Sequence, residues 1–499
     1  MVHWSALIFG LVVSAEASFN PLQHSGPASP YFDAPSRYDI DADAVAPLGC
    51  KVDQAAYILR HGSRYAEPGS LKGWQSLYAK VQNATFDAYG PLRFIGAWTV
   101  PEDDIEHMSP SAGAYLSTTG AREAFDLGRD LRLRYGFTPG GDNLTIYSAG
   151  QQRCVDTATF FLRGYLSQGN YANATGNNRG HIVTLPDSVK DAYFADSLTP
   201  SSACPAYSAA NNGSAISDAY RATFRQAIAD RLNKYLKGNL VFEPSDIGVM
   251  QDLCGFGTQV SGWKAEPFCK LFTEKEWLDY EYAHDLNYYY GAGPGNALSA
   301  TVGYSWVKAI SDLLASGPGA TSQGGDATPA PLIMSFTHDN NIPPIMSALG
   351  LWNSSALDPL HPNPKREFRS SYLVPFRGTI ALERLTCIED AAKDPYNFDT
   401  WSPITHSANT TYDMFSGDVE TAQYVRVRVN NAPVPIPGCQ SGPGKACALA
   451  SFGDHVAKMG RIAGGFAERC GLTNATGNTD ELTFYTHSGA AGASTVLAV

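Results

Sequence analysis

The chain has 499 residues, 44% of them hydrophobic and 17% charged, enough to bury a large core in one large domain or two closely joined ones, and too apolar for a disordered linker. Thirty-six Lys and Arg against 48 Asp and Glu leave a net charge of −12, which argues against nucleic acid as a partner. An anionic ligand must therefore be captured by a local cluster of arginines.

At the start, an apolar run over 6–13 precedes Ala15-Glu16-Ala17, an A-x-A cleavage pattern, so 1–17 reads as a secretory signal peptide despite an n-region without Lys or Arg. That run is too short to span a bilayer, and no later stretch is long and apolar enough to do so. The mature chain is expected to be secreted and extracellular, with no membrane partner. Seven N-x-S/T sequons, at Asn83, Asn143, Asn173, Asn212, Asn353, Asn409 and Asn474, agree with that route as glycosylation candidates. Nine cysteines contain no C-x-x-C pair, which disfavours a metal site or thioredoxin-like redox chemistry and favours disulfides. The odd count leaves one thiol over. Cys154, beside Arg153 at the start of an apolar helix, is expected to be that one.

Residues 18–49, rich in Pro, Ser, Asp and Ala, read as an extended N-terminal arm tied down by Cys50. A buried strand over 52–59 follows and breaks into Arg60-His61-Gly62-Ser63-Arg64. Two guanidinium forks flanking an imidazole can hold a phosphate and screen the charge that would repel an attacking ring nitrogen. A short helix over 71–82 carries Lys72 near this loop. The period over 118–135 predicts a helix stopped by Gly136, its arginines pairing i,i+4 with Glu123, Asp126 and Asp130 on a solvated face. Strand 144–148, the turn 149–152 and a helix over 153–165 place Arg153 where a strand hands over to a helix N-terminus, a position that favours anions.

Between 187 and 300 the pattern is mostly helical, with an apolar face over 217–236 ended by Gly238, and a capping box at Thr273-Glu274-Lys275-Glu276 opening a helix to Tyr290. A helix over 298–314 leads to a Gly, Ser, Thr and Pro-rich loop over 316–331. That loop delivers strand 332–336 directly into His338-Asp339, repeating the strand-to-loop geometry of the opening motif, and a short helix over 345–349 follows. Strands are expected over 372–376, 379–385 and 424–429, the last entering an Asn430-Asn431 turn, and a helix over 455–469 closes the chain.

Phosphoryl transfer through histidine needs a nucleophilic nitrogen, cationic donors on the non-bridging oxygens and an acid for the leaving alcohol. His61 supplies the nucleophile, Arg60, Arg64, Arg153 and His338 the donors, and Asp339 the acid. Surrounding positive charge should depress the His61 pKa and keep the ring unprotonated below neutrality. HExxH, HxH and clustered carboxylates are missing, so neither a metal nor another cofactor is expected.

Arg60-His61-Gly62-Ser63-Arg64, Arg153 and His338-Asp339 together resemble the signature of the histidine acid phosphatases, a branch of the histidine phosphatase superfamily that includes secreted fungal phytases. The resemblance covers about 45–472. It implies an α/β fold: a large α/β domain with a central, mostly parallel sheet flanked by helices (50–66, 110–186 and 301–472), a smaller mostly helical domain (67–109 and 187–300), a C-terminal tail (473–499), and a site in the cleft between the domains. It also implies His61 as phosphohistidine, Asp339 as proton donor, and disulfides pairing Cys50 with Cys387, Cys204 with Cys470, Cys254 with Cys269, and Cys439 with Cys447. Two departures from the phytase pattern stand out. Ala66-Glu67-Pro68 follows the motif where phytases have Pro-Thr, and Asn287-Tyr288 stand where many have two lysines. Lys72, Asn287 and Tyr288 are thus the expected pocket rim. The expected substrates are small-molecule phosphomonoesters, with phytate and simple esters equally open; the alternative is a catalytically silent, secreted phosphate-binding glycoprotein of the same fold.

Overall fold

Residues 54–60 and 332–337 are buried at every position, the pattern of strands covered on both faces, while 144–148 alternate between buried and half-buried. The computed structural model describes residues 19–41, 45–101, 115–137, 143–167, 179–186, 195–262, 266–319, 329–353, 355–388, 420–472, 480–486 and 494–498. The strands are β1 (Cys50–Arg60), β2 (Phe86–Ala88), β3 (Asn143–Ala149), β4 (Arg179–Leu185), β5 (Leu236–Gly238), β6 (Leu332–Thr337), β7 (Thr379–Ile388), β8 (Thr421–Val429), β9 (Ala432–Val434), β10 (Cys447–Ala448) and β11 (Ser494–Ala498). The helices are α1 (Pro68–Gln82), α2 (Thr118–Tyr135), α3 (Gln152–Leu166), α4 (Pro205–Ala209), α5 (Gly213–Asn233), α6 (Pro244–Ser261), α7 (Glu274–Gly291), α8 (Ser299–Ser316), α9 (Ile342–Ala348), α10 (Ser370–Leu373), α11 (Leu449–Ala463) and α12 (Phe466–Arg469).

The main sheet runs β10-β8-β7-β1-β6-β3-β4-β11, with β9 hairpinned onto β8. Its heart is parallel: β1 pairs with β6, β6 with β3, and β3 with β4, while β7, β8, β10 and β11 join antiparallel. Parallel pairing brings the carboxyl ends of β1, β6 and β3 to one edge, with Arg60 opposite Thr337 and Ser148 opposite Phe336. Ligands bind along such an edge because the loops leaving it converge. α2 and α3 pack together beside the sheet, and α8 packs between α9 and α11; α5, α6 and α7 form a helical lobe against which α1 rests, with β2 and β5 as a small ribbon.

Helix ends follow their caps. Ser117 accepts from Gly120 N at the start of α2, and Gly136 ends it in the left-handed region. Thr273 and Glu276 close the capping box of α7. Asn430 and Asn431 both take positive φ, 42° and 71°, as a tight two-residue hairpin turn requires.

Several elements differ from the sequence reading, each for an identifiable physical reason. Residues 372–376 are no strand. The Asp285 carboxylate accepts from both N and Oγ of Ser370, at 2.6 and 2.7 Å, and nucleates the single turn α10, so a buried partner overrides β propensity. The apolar period that reached Leu236 belongs to two elements, since α5 stops at Asn233 and Leu236 enters β5. The closing helix is split into α11 and α12 at Gly464, whose φ of 68° with ψ of −179° only glycine adopts readily. On α2, Glu123 turns inward to Ser63, and Arg132 and Arg134 bond Phe137 O and Asn431 Oδ1 instead of pairing i,i+4. The end of the expected tail forms β11 on the edge of the main sheet.

Four disulfides, Cys50–Cys387, Cys204–Cys470, Cys254–Cys269 and Cys439–Cys447, are those the resemblance implies, and Cys154 is buried and takes part in no disulfide. Cys50 is bonded to its direct cross-strand neighbour on β7. Of the sequons, Asn83, Asn212 and Asn353 are exposed, and Asn143 opens β3. Asn173, Asn409 and Asn474, like the expected signal peptide, lie outside the described residues.

Candidate active site

The end of β1 carries Arg60 and delivers His61, whose N–H still bonds Thr337 O of β6 at 3.0 Å. His61 is only 1% exposed, so it is not the exposed loop residue its glycine-flanked position suggests. Its carbonyl accepts from Arg377 N at 3.0 Å, a contact that Arg377 makes in the left-handed region, at φ 61°. A non-glycine residue held there behind the motif stores a small strain that the surrounding packing sustains. Nδ1 of His61 lies 2.9 Å from Gly62 O. A carbonyl oxygen only accepts, so Nδ1 carries the proton and Nε2 keeps its lone pair.

Gly62 N donates to Thr157 Oγ1 on α3 at 3.0 Å, and Thr157 bonds Arg153 O one turn earlier, which ties the loop to the start of α3. Ser63 donates to Glu123 from its backbone N at 3.3 Å and its Oγ at 2.7 Å, and that Oγ also lies 2.7 Å from Gln259 Oε1 on α6. α2 approaches so closely that a Cβ on Gly120 would sit 2.1 Å from Ser63 O. The motif is thus braced by α2, α3 and α6 at once.

Around His61 stand the cations. Arg60 donates through Nη1 to Pro27 O and Val374 O, at 2.5 and 2.7 Å, lies over the Phe376 ring at 4.3 Å, and reaches Asp339 Oδ2 with Nη2 at 3.2 Å. Arg64 bonds Tyr65 O and lies over Phe256 of α6. Its burial pushes the guanidinium down to about 10. Arg153 reaches the site from the first turn of α3. The Nε–H groups of all three arginines are buried without a partner, donors that an anion could take. The His338 ring stands 5.8 Å from that of His61, edge to face, with the Cys154 thiol 3.6 Å from its Nδ1. Burial first, then Arg60, Arg64, Arg153 and His338, holds the His61 pKa well below its ordinary value, leaving the ring neutral in acid.

Asp339 follows His338 at the end of β6 and opens a 3₁₀ turn. Burial would raise its carboxyl, but Arg60, the Tyr288 hydroxyl and Arg64 together hold it below the usual range. Tyr288 OH donates to Asp339 Oδ2 at 2.8 Å from α7. Of the expected rim, then, Tyr288 touches Asp339 itself. Asn287 instead accepts from Ser214 on α5, and Lys72 is exposed on α1. Sequence reading missed Phe376, Thr157, Glu123 and Gln259, none of which carries a motif of its own. Glu67, noted there only as a departure, spans two guanidiniums: its Oε1 lies 3.1 Å from Arg64 Nη2 and 3.6 Å from Arg153 Nη2.

A neutral imidazole with a free Nε2, ringed by guanidiniums at the carboxyl edge of a parallel sheet with a carboxyl group beside it, is equipped for phosphoryl transfer through histidine. The chain belongs to the histidine phosphatase superfamily (branch 2), whose family model it matches over residues 51–430. It is 28% identical over 482 residues to acid phosphatase PHO1 of Komagataella pastoris, and 30% identical over 480 residues to phytase PHO112 of Candida albicans, covering 94% of this chain and 90% of the relative in both cases. Among solved structures it is similar to the phytase from D. castellii, with a TM-score of 0.73 at 25% identity over 95% of this chain and 93% of that one.

Proposed function

We propose that the chain is a secreted phosphomonoester hydrolase working through a phosphohistidine on His61. The observation that carries the reading is the His61 ring, proton fixed on Nδ1 by Gly62 O and Nε2 free, among Arg60, Arg64, Arg153 and His338. The family supports hydrolysis: its members in K. pastoris and C. albicans are an acid phosphatase and a phytase. The presence of both His61 and Asp339 disfavours a silent binding protein. Secretion is supported by four disulfides and by exposed sequons at Asn83, Asn212 and Asn353. Among the described residues no helix is long and apolar enough to cross a membrane.

In the first step the phosphate oxygens take the guanidinium and His338 donors, and Nε2 attacks phosphorus. The P–O bond to the alcohol breaks as Asp339 passes its proton to the leaving oxygen. Asp339 must be protonated for this step, yet Arg60 favours its ionised form in the empty site. An arriving phosphate places negative charge on that same guanidinium and beside the carboxyl, which raises the carboxyl's proton affinity. In the second step Asp339, now a carboxylate, takes a proton from water as the water oxygen attacks phosphorus, the P–N bond breaks, and inorganic phosphate leaves with His61 restored.

The test is turnover of nitrophenyl phosphate by wild type and His61→Ala, with alkaline quenching after a brief exposure to a phosphorus-labelled ester. Wild type should turn over and carry alkali-stable, acid-labile label on His61; the variant should do neither. Substantial turnover by His61→Ala would sink the covalent mechanism.

A further inference from the structure

The guanidiniums that should receive the substrate phosphate already hold an anion supplied by the chain. Glu67 is the N-cap residue of α1, yet its side chain caps nothing and leans over the site. Its Oε1 is shared between Nη2 of Arg64 and Nη2 of Arg153. The two arginine side chains are 8% and 11% exposed, whereas Glu67 is 48% exposed, so the carboxylate lies on the solvent side of both cations, across the approach to them. With Pro68, Gly69, Tyr115, Gln151 and Arg153 it lines a cavity of about 560 Å³ beside the motif.

We propose that Glu67 is a specificity-determining residue, a resident carboxylate that competes with substrate phosphate for Arg64 and Arg153 and selects esters bearing one phosphate over substrates bearing several. The inference rests on the phosphatase reading and names its substrate class. A phosphate seated against His61 shares Arg64 and Arg153 with the Glu67 carboxylate, at a cost common to every substrate. Further phosphates on the same molecule lie outward, on the side where Glu67 is exposed, and each adds repulsion at short range. Among the described residues lining the cavity Arg153 is the one cation, and it is already engaged by the scissile group and the carboxylate. Charge, more than shape, therefore sets the preference.

The experiment compares wild type, Glu67→Gln and Glu67→Ala on phytate and on phenyl phosphate at one pH and ionic strength, reading kcat and KM separately. Gln keeps the volume without the charge. Ala removes the side chain and costs no cap, since Glu67 makes no capping hydrogen bond. Both variants should lower KM for phytate by about tenfold and for phenyl phosphate by about threefold or less, with the change mainly in KM, as expected for loss of a partly screened charge. The ratio of kcat/KM for phytate to that for phenyl phosphate then rises. An unchanged or falling ratio in both variants overturns the proposal, including the case in which KM rises for both substrates because Glu67 serves only to hold the arginines in place. Failure of the underlying reading looks different: wild type would then turn over neither ester, or His61→Ala would remain active.

Discussion

Replacing Asp339 by Asn separates the acid from the clamp, because Asn keeps the shape of the side chain while losing the transferable proton and the charge that pairs with Arg60. The carboxylate accepts from Tyr288 OH at 2.8 Å and pairs with Arg60 Nη2 at 3.2 Å. Arg60 keeps its bonds to Pro27 O and Val374 O in the variant, so its buried charge retains partners and the fold should survive. The cost is one charge-assisted contact, about 1.5–3 kcal/mol, affordable within a typical stability of about 5–15 kcal/mol. Catalysis should lose far more. A positioned general acid is worth about 10²–10⁴-fold, and that whole factor is at stake for glycerol phosphate, whose alkoxide cannot leave unprotonated. A nitrophenolate leaves without a proton, so nitrophenyl phosphate should lose about tenfold or less in its first step. The assay is kcat for both esters with purified wild type and variant, together with the inhibition constant for inorganic phosphate, which should fall because Arg60 is relieved of its counter-ion. Equal losses on the two esters would refute the assignment of Asp339 as the acid.

Tyr288→Phe removes a donor that favours the ionised carboxyl of Asp339, so the alkaline limb of kcat should move to higher pH; an unmoved limb would show that the hydroxyl does not act on the acid. Burial pushes the Glu281 carboxyl up, but the His24 hydrogen bond, Arg366 and Arg369 win and hold it at about 2. Its folded value is thus depressed from an unfolded value of about 4.3, and its contribution is complete above that pH and fades as pH falls towards 2. Glu281→Gln should therefore cost about 3–5 kcal/mol near pH 6, by taking from Arg369 its carboxylate and leaving buried Arg366 with Asp285 alone, and less near pH 2; thermal melts showing a deficit independent of pH would contradict this. Alkylation after denaturation without reductant should label Cys154 alone among the nine cysteines, and a peptide map with Cys154 bridged would overturn the pairing.

The chemistry-bearing residues were legible because they are contiguous at strand ends. Arg60-His61-Gly62-Ser63-Arg64 and His338-Asp339 each follow an uninterrupted apolar run, and a run that stops in polar, ring-bearing residues is a local pattern. The same holds for Gly136 ending α2, the Thr273–Glu276 box and the Asn430-Asn431 turn, all governed by rules that reach no further than four residues. Residues 372–376 read wrongly because the cause of their conformation, Asp285, is remote in sequence.

What the sequence determined by itself was the set of candidate reacting groups and the elements that carry them. Their assembly was decided only in three dimensions: parallel pairing sets β1 beside β6, and with it His61 beside His338. The directions of Glu67, Glu123 and Tyr288 were decided there too. Glu123 reads as surface in its helical period, Tyr288 as pocket rim, and Glu67 only as a departure from the phytase pattern. Glu67 is drawn over the site by Arg64 and Arg153, Glu123 inward by Ser63, and Tyr288 onto the acid by Asp339. A polar side chain goes where its partner is, because burial without one is costly, and the partners here come from segments that periodicity cannot see.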